Sequence, residues 1–327
     1  MSEIRFLWRT DVHLADKTPR RRTGNWSEDV FRKLEWIGSL AEKNHCDFVL
    51  DGGDFFDVKS PHKNSHSLVR RTCEIHRKYP CPTYALVGNH DVKYGNISYL
   101  PQQPLSVLFS SGIFNKFGDN EEIIIEKENL KIRVVGIPYH GVVYDFDRIS
   151  SIKKNDEDYL FVACHLLATK GEKSTMFEGE DIVGYNTLEQ NSEVDGWFFG
   201  HWHKDQGIST LKNGSTVVNV GSLTRGSLHL DDFDRKPCAV EVRICSDQGI
   251  SYERHDVPVR PFSEAFNVSE ALVEKEDTSR VEEIVNKMKV AFSVKSNKKT
   301  LKEKVLDLPN ISEEVKEIIL NYLEESS

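Results

Sequence analysis

Short apolar runs that stop abruptly at small or polar residues organise the first two-thirds of the chain. Ile4 to Trp8 leads into Thr10-Asp11-Val12-His13, Phe48 to Leu50 into Gly52-Gly53-Asp54, and Tyr84 to Val87 into Gly88-Asn89-His90-Asp91. Leu160 to Cys164 stops at His165, Trp197 to Phe199 at Gly200-His201-Trp202-His203, and Thr216 to Val220 at Gly221-Ser222. Runs of this length read as buried strands delivering functional groups at their carboxyl ends. Between the first two, Val30, Leu34, Ile37 and Ala41 recur at helical spacing, and Leu68, Val69 and Ile75 indicate a second helix. Strands alternating with helices predict α/β layers. Glu121 to Val135 reads as a hairpin closed by Gly136-Ile137-Pro138, and Ala239 to Ile244 as a further strand. The expectation is two packed sheets flanked by helices.

After Pro261 the pattern changes. Residues 261–327 hold no strand-like run, and Ser279-x-x-Glu282 and Thr300-x-x-Glu303 read as capping boxes that open helices. Val281, Ile284, Val285, Met288 and Phe292 form one apolar stripe, and Val315, Ile318, Ile319 and Tyr322 another. The expected organisation is a domain over residues 1–260 followed by a small helical appendage over 261–327. That appendage would either dock a partner protein or complete the first domain as a lid.

Composition narrows the function classes. With 327 residues the chain has room for one large domain, or one large and one small. A formal net charge of −9 argues against a polybasic protein, without excluding a locally basic groove. No apolar run approaches the roughly 20 residues of a membrane span. Met1 to Trp8 lacks the pattern of a signal peptide, so a cytoplasmic or nucleoid location is expected. The six cysteines show no CxxC spacing and read as small buried hydrophobes.

The chemistry sits where the apolar runs end: Asp11, His13, Asp54, Asn89, His90, His165, His201 and His203. A single strand-end histidine is usually a structural hydrogen-bonding group, but a recurring set of carboxylate, amide and imidazole groups without thiolate suits divalent Mn, Fe or Zn. In extended backbone, residues i and i+2 face the same way, so Asp11 with His13, and His201 with His203, can point into one cleft. Glycines before Asp54, Asn89 and His201 permit tight turns and close backbone approach. The set is too large for one ion. It fits two ions about 3.5–4 Å apart that share a bridging carboxylate and clamp a phosphate.

The ordered blocks Asp11-x-His13, Gly53-Asp54, Gly88-Asn89-His90-Asp91, His165 and Gly200-His201-x-His203 resemble the signature of the calcineurin-like metallophosphoesterase superfamily. The wording around them, Thr10 to Leu14, Gly53 to Asp57 and Val220-Gly221-Ser222, is similar to SbcD-type DNA repair nuclease subunits, including phage homologues. The likeness covers about residues 1–260. It implies a four-layer α/β/β/α fold, two Mn²⁺ ions, DNA as substrate and an SbcC-type coiled-coil ATPase as partner, with a homodimer left open and no membrane involved. By that resemblance Asp11, His13, Asp54 and His203 hold one ion, and Asp54, Asn89, His165 and His201 the other. Asp54 is then the bridge, and His90 a non-ligand that contacts the phosphate or protonates the leaving group, oriented by Asp91. Archaeal and eukaryotic relatives carry a histidine where this chain has Asp57, a residue type that also suits a turn.

Local charge fits a DNA substrate. Lys17 to Lys33 carries Lys17, Arg20, Arg21, Arg22, Arg32 and Lys33 against Glu28 and Asp29, and Lys59 to Lys78 carries six basic residues against Glu74. Both stretches follow metal motifs, where phosphate contacts would position a duplex. The Arg20 to Arg22 loop is the favoured contact; Arg70 to Lys78 reads equally as a solvated helix face. The leading expectation is a Mn²⁺-dependent DNA phosphodiesterase. A stand-alone phosphodiesterase or phosphatase for nucleotides or phosphoproteins is the alternative, and a non-enzymatic scaffold for the ATPase a third class.

Overall fold

The computed structural model describes residues 2–57, 64–171, 179–226 and 235–267. The chain divides into two compact units, Met1–Phe266 and Asn267–Ser327, and the described residues fall almost wholly in the first. The helices expected from Ser279 and Thr300 lie outside the described residues, as do Lys59 and Lys63.

The first half follows β1 (Glu3–Arg9), α1 (Trp26–Lys43), β2 (Phe48–Asp51), α2 (His66–His76), β3 (Thr83–Ala85), α3 (Pro104–Ser110) and β4 (Asn115–Lys116). Then come β5 (Ile123–Lys127), β6 (Leu130–Ile137), α4 (Phe146–Ser151), β7 (Tyr159–His165), β8 (Ala168–Thr169), β9 (Val183–Gly184), α5 (Tyr185–Leu188) and β10 (Gly196–Gly200). The series closes with β11 (Gly207–Thr210), β12 (Thr216–Asn219), β13 (Cys238–Cys245), β14 (Gly249–Asp256) and α6 (Phe262–Ala265). One six-stranded sheet has the order β14-β13-β1-β2-β3-β4, the other β11-β12-β10-β7-β6-β5, and β8 pairs with β9 apart from both. The strands β1, β2, β3 and β4 run parallel, as do β6, β7, β10 and β12, so their carboxyl ends line up within each sheet.

Alternation along the strands builds the layers. In β1, Ile4, Phe6 and Trp8 enter the core between the sheets, while Leu7 faces α1. In β7, Phe161 and Ala163 face the other sheet, and Leu160, Val162 and Cys164 face the opposite layer. Trp197 and Phe199 of β10 take that outer layer, and Phe198 the inner one. The resulting order is helices, sheet, sheet, helices. Aromatic rings from both sheets fill its centre: Phe6 stacks on Phe48 with centroids 4.8 Å apart and meets Phe161 edge-on at 5.8 Å, and Trp8 lies 5.2 Å from Phe198.

The two long helices follow their expected stripes. Asn25 caps α1 by accepting from the Glu28 N–H, Glu28 and Asp29 occupy its first turn, and Val30, Leu34, Ile37 and Ala41 are buried. Ser65 caps α2 by accepting from the Leu68 N–H. Strand β14, in contrast, had no sequence signal. It is an edge strand that pairs with β13 and carries mostly polar, part-exposed side chains, so no apolar run marks it. Among the described residues no helix is long and apolar enough to cross a membrane.

If the aromatic core joins the sheets, Phe198→Ala should cost about 3–5 kcal/mol in denaturant unfolding. Ile124→Ala, at a site 55% exposed on β5, should cost about 0.5 kcal/mol or less. Equal losses would show that contacts elsewhere hold the sheets together.

Candidate metal centre

The turns that follow β1 and β2 are laced together. The Asp11 N–H donates to Gly53 O (3.0 Å), His13 N–H to Asp54 O (2.9 Å) and Leu14 N–H to Phe55 O (2.9 Å). Beneath them lies a buried ion pair: Arg9 Nε donates to Asp51 Oδ2 at 2.7 Å with neither side chain exposed, and Asp51 Oδ1 accepts from the Gly53 N–H. The last residue of each strand thus locks to its neighbour just before the functional loops begin.

Those loops are not extended. Asp11, His13, Asp54 and His201 all have left-handed backbone, with φ of 54°, 49°, 53° and 85°. The expectation that i, i+2 pairs share a face through strand geometry is corrected here: Asp11 and His13 do converge, but through left-handed turns that aim both side chains inward. Non-glycine residues seldom adopt this conformation, and each costs of order 1–3 kcal/mol, so its concentration at one place marks a functional site. Gly88 permits the closest approach. A Cβ there would overlap the backbone N and Oδ1 of Asp54.

All seven expected metal ligands come together in two groups that share Asp54. Asp11, His13, Asp54 and His203 present donor atoms within 4.8 Å of one another, and so do Asp54, His165 and His201. Asn89 joins the second group, its Oδ1 3.2 Å from His165 Nε2. Asp11 and Asp54 are buried, His13 is 12% exposed, and His203 is 40% exposed at the rim.

Hydrogen bonds fix which imidazole nitrogens face inward. His165 Nδ1 lies 2.7 Å from Gly52 O, which can only accept, so Nδ1 carries a proton and Nε2 points at Asp54 and Asn89. His201 Nε2 lies 3.0 Å from Glu180 Oε1, which as a carboxylate oxygen can only accept, so Nε2 is a donor there and Nδ1 is the ring nitrogen left over for a metal. His13 Nε2 and His203 Nε2 face each other at 2.8 Å. Burial, reinforced by the charges of His203 and His90, pushes the His13 imidazole down to about 3 and keeps it neutral. Against burial, the charge of Asp54 holds His165 up at about 10, so a proton stands there that a cation would displace. Asp54 itself stays ionised well below the usual carboxylate range: burial opposes this, but His165 and His90 overcome it.

His90 stands beside both groups. Its N–H donates to Asp54 Oδ1 at 2.7 Å, its ring meets that of His13 edge-on at 4.6 Å, and its side chain is 20% exposed. The expected His90–Asp91 pairing is corrected by the structure. Asp91 is fully buried and accepts from the N–H groups of Phe56 (2.8 Å) and Gly88 (3.0 Å), bracing the two loops instead of the ring. The carboxylate facing His90 belongs to Asp57, whose Oδ1 lies 3.3 Å from His90 Nδ1.

Two further residues at the site had not been expected. Glu180 reaches His201, is anchored by the Tyr144 hydroxyl at 2.8 Å, and that hydroxyl accepts from the Leu167 N–H. It lies in a loop without a motif, and nothing in a single sequence signals it. Tyr139 packs its ring 5.4 Å from that of His201. It lies just beyond β6, and the strand-end rule applied to the Ile137-Pro138 stop would have found it.

The donors present fit divalent cations. Asp54 Oδ2 is buried and makes no hydrogen bond, although His165 Nε2 stands 3.3 Å away off the line of one. An ionised carboxylate buried this deeply is costly unless positive charge meets it, which the His165 proton does here and a metal cation would do in its place. An O/N donor set without sulfur suits a hard or borderline ion. One more group of potential ligands among the described residues, Glu241, Glu253 and His255, lies on β13 and β14 with Arg5 3.7 Å from Glu241.

Comparison with known proteins agrees with this geometry. The calcineurin-like phosphoesterase profile matches residues 4–205. YhaO, an uncharacterized metallophosphoesterase of Bacillus subtilis, is 23% identical over 220 residues, 64% of this chain and 51% of that protein. The DNA double-strand break repair protein Mre11 of Archaeoglobus fulgidus is 26% identical over 238 residues, 69% and 51% of the two chains. The human double-strand break repair protein MRE11 is 27% identical over 175 residues, 41% of this chain and 24% of that one. The matches therefore span about half or less of these relatives' lengths. Among solved structures, a Staphylococcus aureus protein provisionally assigned as a 5′-nucleotidase shares the fold with a TM-score of 0.53 at 17% identity, covering 84% of this chain and 58% of that one. A profile match over the segment that carries the whole ligand set, on two sheets whose strand ends converge at Asp54, places the chain in the calcineurin-like phosphoesterase family.

Proposed function

We propose that the chain is a two-metal DNA phosphodiesterase, the nuclease subunit of a complex with an SbcC-type coiled-coil ATPase. The observation that carries this reading is the convergence of two ligand sets on one buried carboxylate, with His90 beside both and a ligand of neither. The similarity to double-strand break repair proteins supports DNA as the substrate, and Mn²⁺ is the proposed ion. Asp11, His13, Asp54 and His203 would hold one ion, and Asp54, Asn89, His165 and His201 the other. Bound there, the pair would supply Lewis acidity to the phosphate and lower the pKa of a water.

The remaining work falls to the chain's own groups. Asp57 at Nδ1 orients the His90 ring, which leaves Nε2 to donate a proton to a phosphate oxygen or to the departing sugar oxygen. Hydrolysis adds water across one P–O bond, and that proton completes the leaving alcohol. Glu180 fixes the ring and tautomer of His201, and Asp91 holds the loops of Asp54 and Asn89 in register.

The full chain with Mn²⁺, ATP and the ATPase should digest linear duplex DNA. Turnover of nucleotides or phosphoproteins without any digestion of DNA would overturn the reading in favour of a stand-alone phosphatase. His90→Asn should retain both ions and lose roughly 10²–10⁴ in rate. Parallel loss of metal and activity in one titration would make His90 a ligand. Glu180→Gln should weaken one of the two ions by about 10–100-fold in a metal-binding isotherm and leave the other unchanged. An unaltered isotherm would show that Glu180 does not position His201.

A further inference from the structure

We propose that a cavity walled by Arg22, Arg32, Lys33, Arg225 and Arg260 is a binding site for a phosphate group, separate from the metal centre. The cavity has a volume of ≈ 200 Å³ and one acidic residue in its lining, Asp29. That carboxylate is already engaged: its Oδ2 accepts from Arg22 Nη2 at 2.8 Å and from Arg260 Nη2 at 2.7 Å. Lys33 is the decisive residue. It is 4% exposed, lines the cavity, and makes no hydrogen bond or ion pair among the described residues. The Nε of Arg22 is also buried without a hydrogen-bond partner.

A buried ammonium among guanidinium groups is expensive unless an anion meets it. Burial, aided by Arg22 and Arg225, pushes the Lys33 amine down to about 7, and an anion in the cavity would reverse that shift. Planar guanidinium forks match the oxygens of a phosphate, and a lysine adds a point charge. The space is smaller than the roughly 300–1,000 Å³ of a small-molecule pocket, so it suits a phosphate or pyrophosphate group and not a whole nucleotide.

The cavity is joined to the metal centre through one side chain. The Arg22 guanidinium lies 5.0 Å from the centroid of the Trp26 ring, and Trp26 Nε1 donates to His13 O at 3.1 Å. The phosphate could belong to the backbone of a bound duplex, which rests on the nuclease reading above, or be free in solution, which does not.

Calorimetric titration of the Mn²⁺-loaded full chain with inorganic phosphate separates these cases. Lys33→Met should lose one phosphate-binding event, weakened by about tenfold or more, with hydrolysis of a small phosphodiester unchanged. Arg260→Gln should lose the same event, which keeps the test valid if Lys33→Met does not fold. Matching loss of affinity for a short duplex in both variants assigns the phosphate to DNA, and unchanged duplex affinity assigns it to free phosphate; either result upholds the site. Identical phosphate isotherms in wild type and a folded variant would overturn it, whether or not the chain proves to cleave DNA.

Discussion

The buried carboxylate of Asp54 is the constraint around which the site is built. It lies where the strand ends of two back-to-back sheets meet, ionised, with one oxygen that makes no aligned hydrogen bond and has the protonated His165 ring 3.3 Å away. Removing a charge from water costs several kcal/mol even in a relaxed protein interior. The surrounding structure is arranged to tolerate that cost: parallel strands bring histidines from β7 and the turn after β10 to the same point, and left-handed turns aim Asp11 and His13 at it. The aromatic core beneath holds the sheets at a fixed separation, so the ligand loops inherit their positions from packing rather than from local preference. A pair of divalent cations would satisfy what the protein leaves unmet.

Much of this was legible in the sequence because strand burial and ligand type are written in the same short runs. Most of the apolar runs end within a residue of a strand end, the run to Val87 outlasting β3, and the residues that converge come from the ends of five of them. The reason for convergence was not legible. Alternation in extended backbone was the natural inference for Asp11 and His13, yet both are left-handed, a conformation set by the cross-links to Gly53 and Asp54 and invisible in a single sequence. The partner of His90 was misplaced for a similar reason. Asp91 is its neighbour in sequence, but the loop turns it toward the backbone, and Asp57 arrives from another loop. Glu180 and β14 were missed because neither carries an apolar pattern.

Charge shows the same division between what a sequence lists and where a fold puts it. From sequence alone, the basic stretch around Arg20 to Arg22 is the favoured contact for DNA. The structure turns the Arg22 side chain inward, onto Trp26 and Phe266 and against Asp29. Arg71, from the second basic stretch, pairs with Glu28 and lies over Phe31. Part of the positive charge is therefore spent on cohesion, and part of it lines a half-open pocket. Neither use changes the net charge of −9, which is why composition alone says so little about anion binding.

The central claim is that one carboxylate serves two ions, and metal stoichiometry tests it most directly. Equilibrium dialysis of the full chain against Mn²⁺ should give two ions per chain in the wild type. For Asp54→Asn it should give fewer than two, because a neutral amide oxygen cannot bridge two dications. An Asp54→Asn chain that still binds two ions with wild-type affinity would contradict the account.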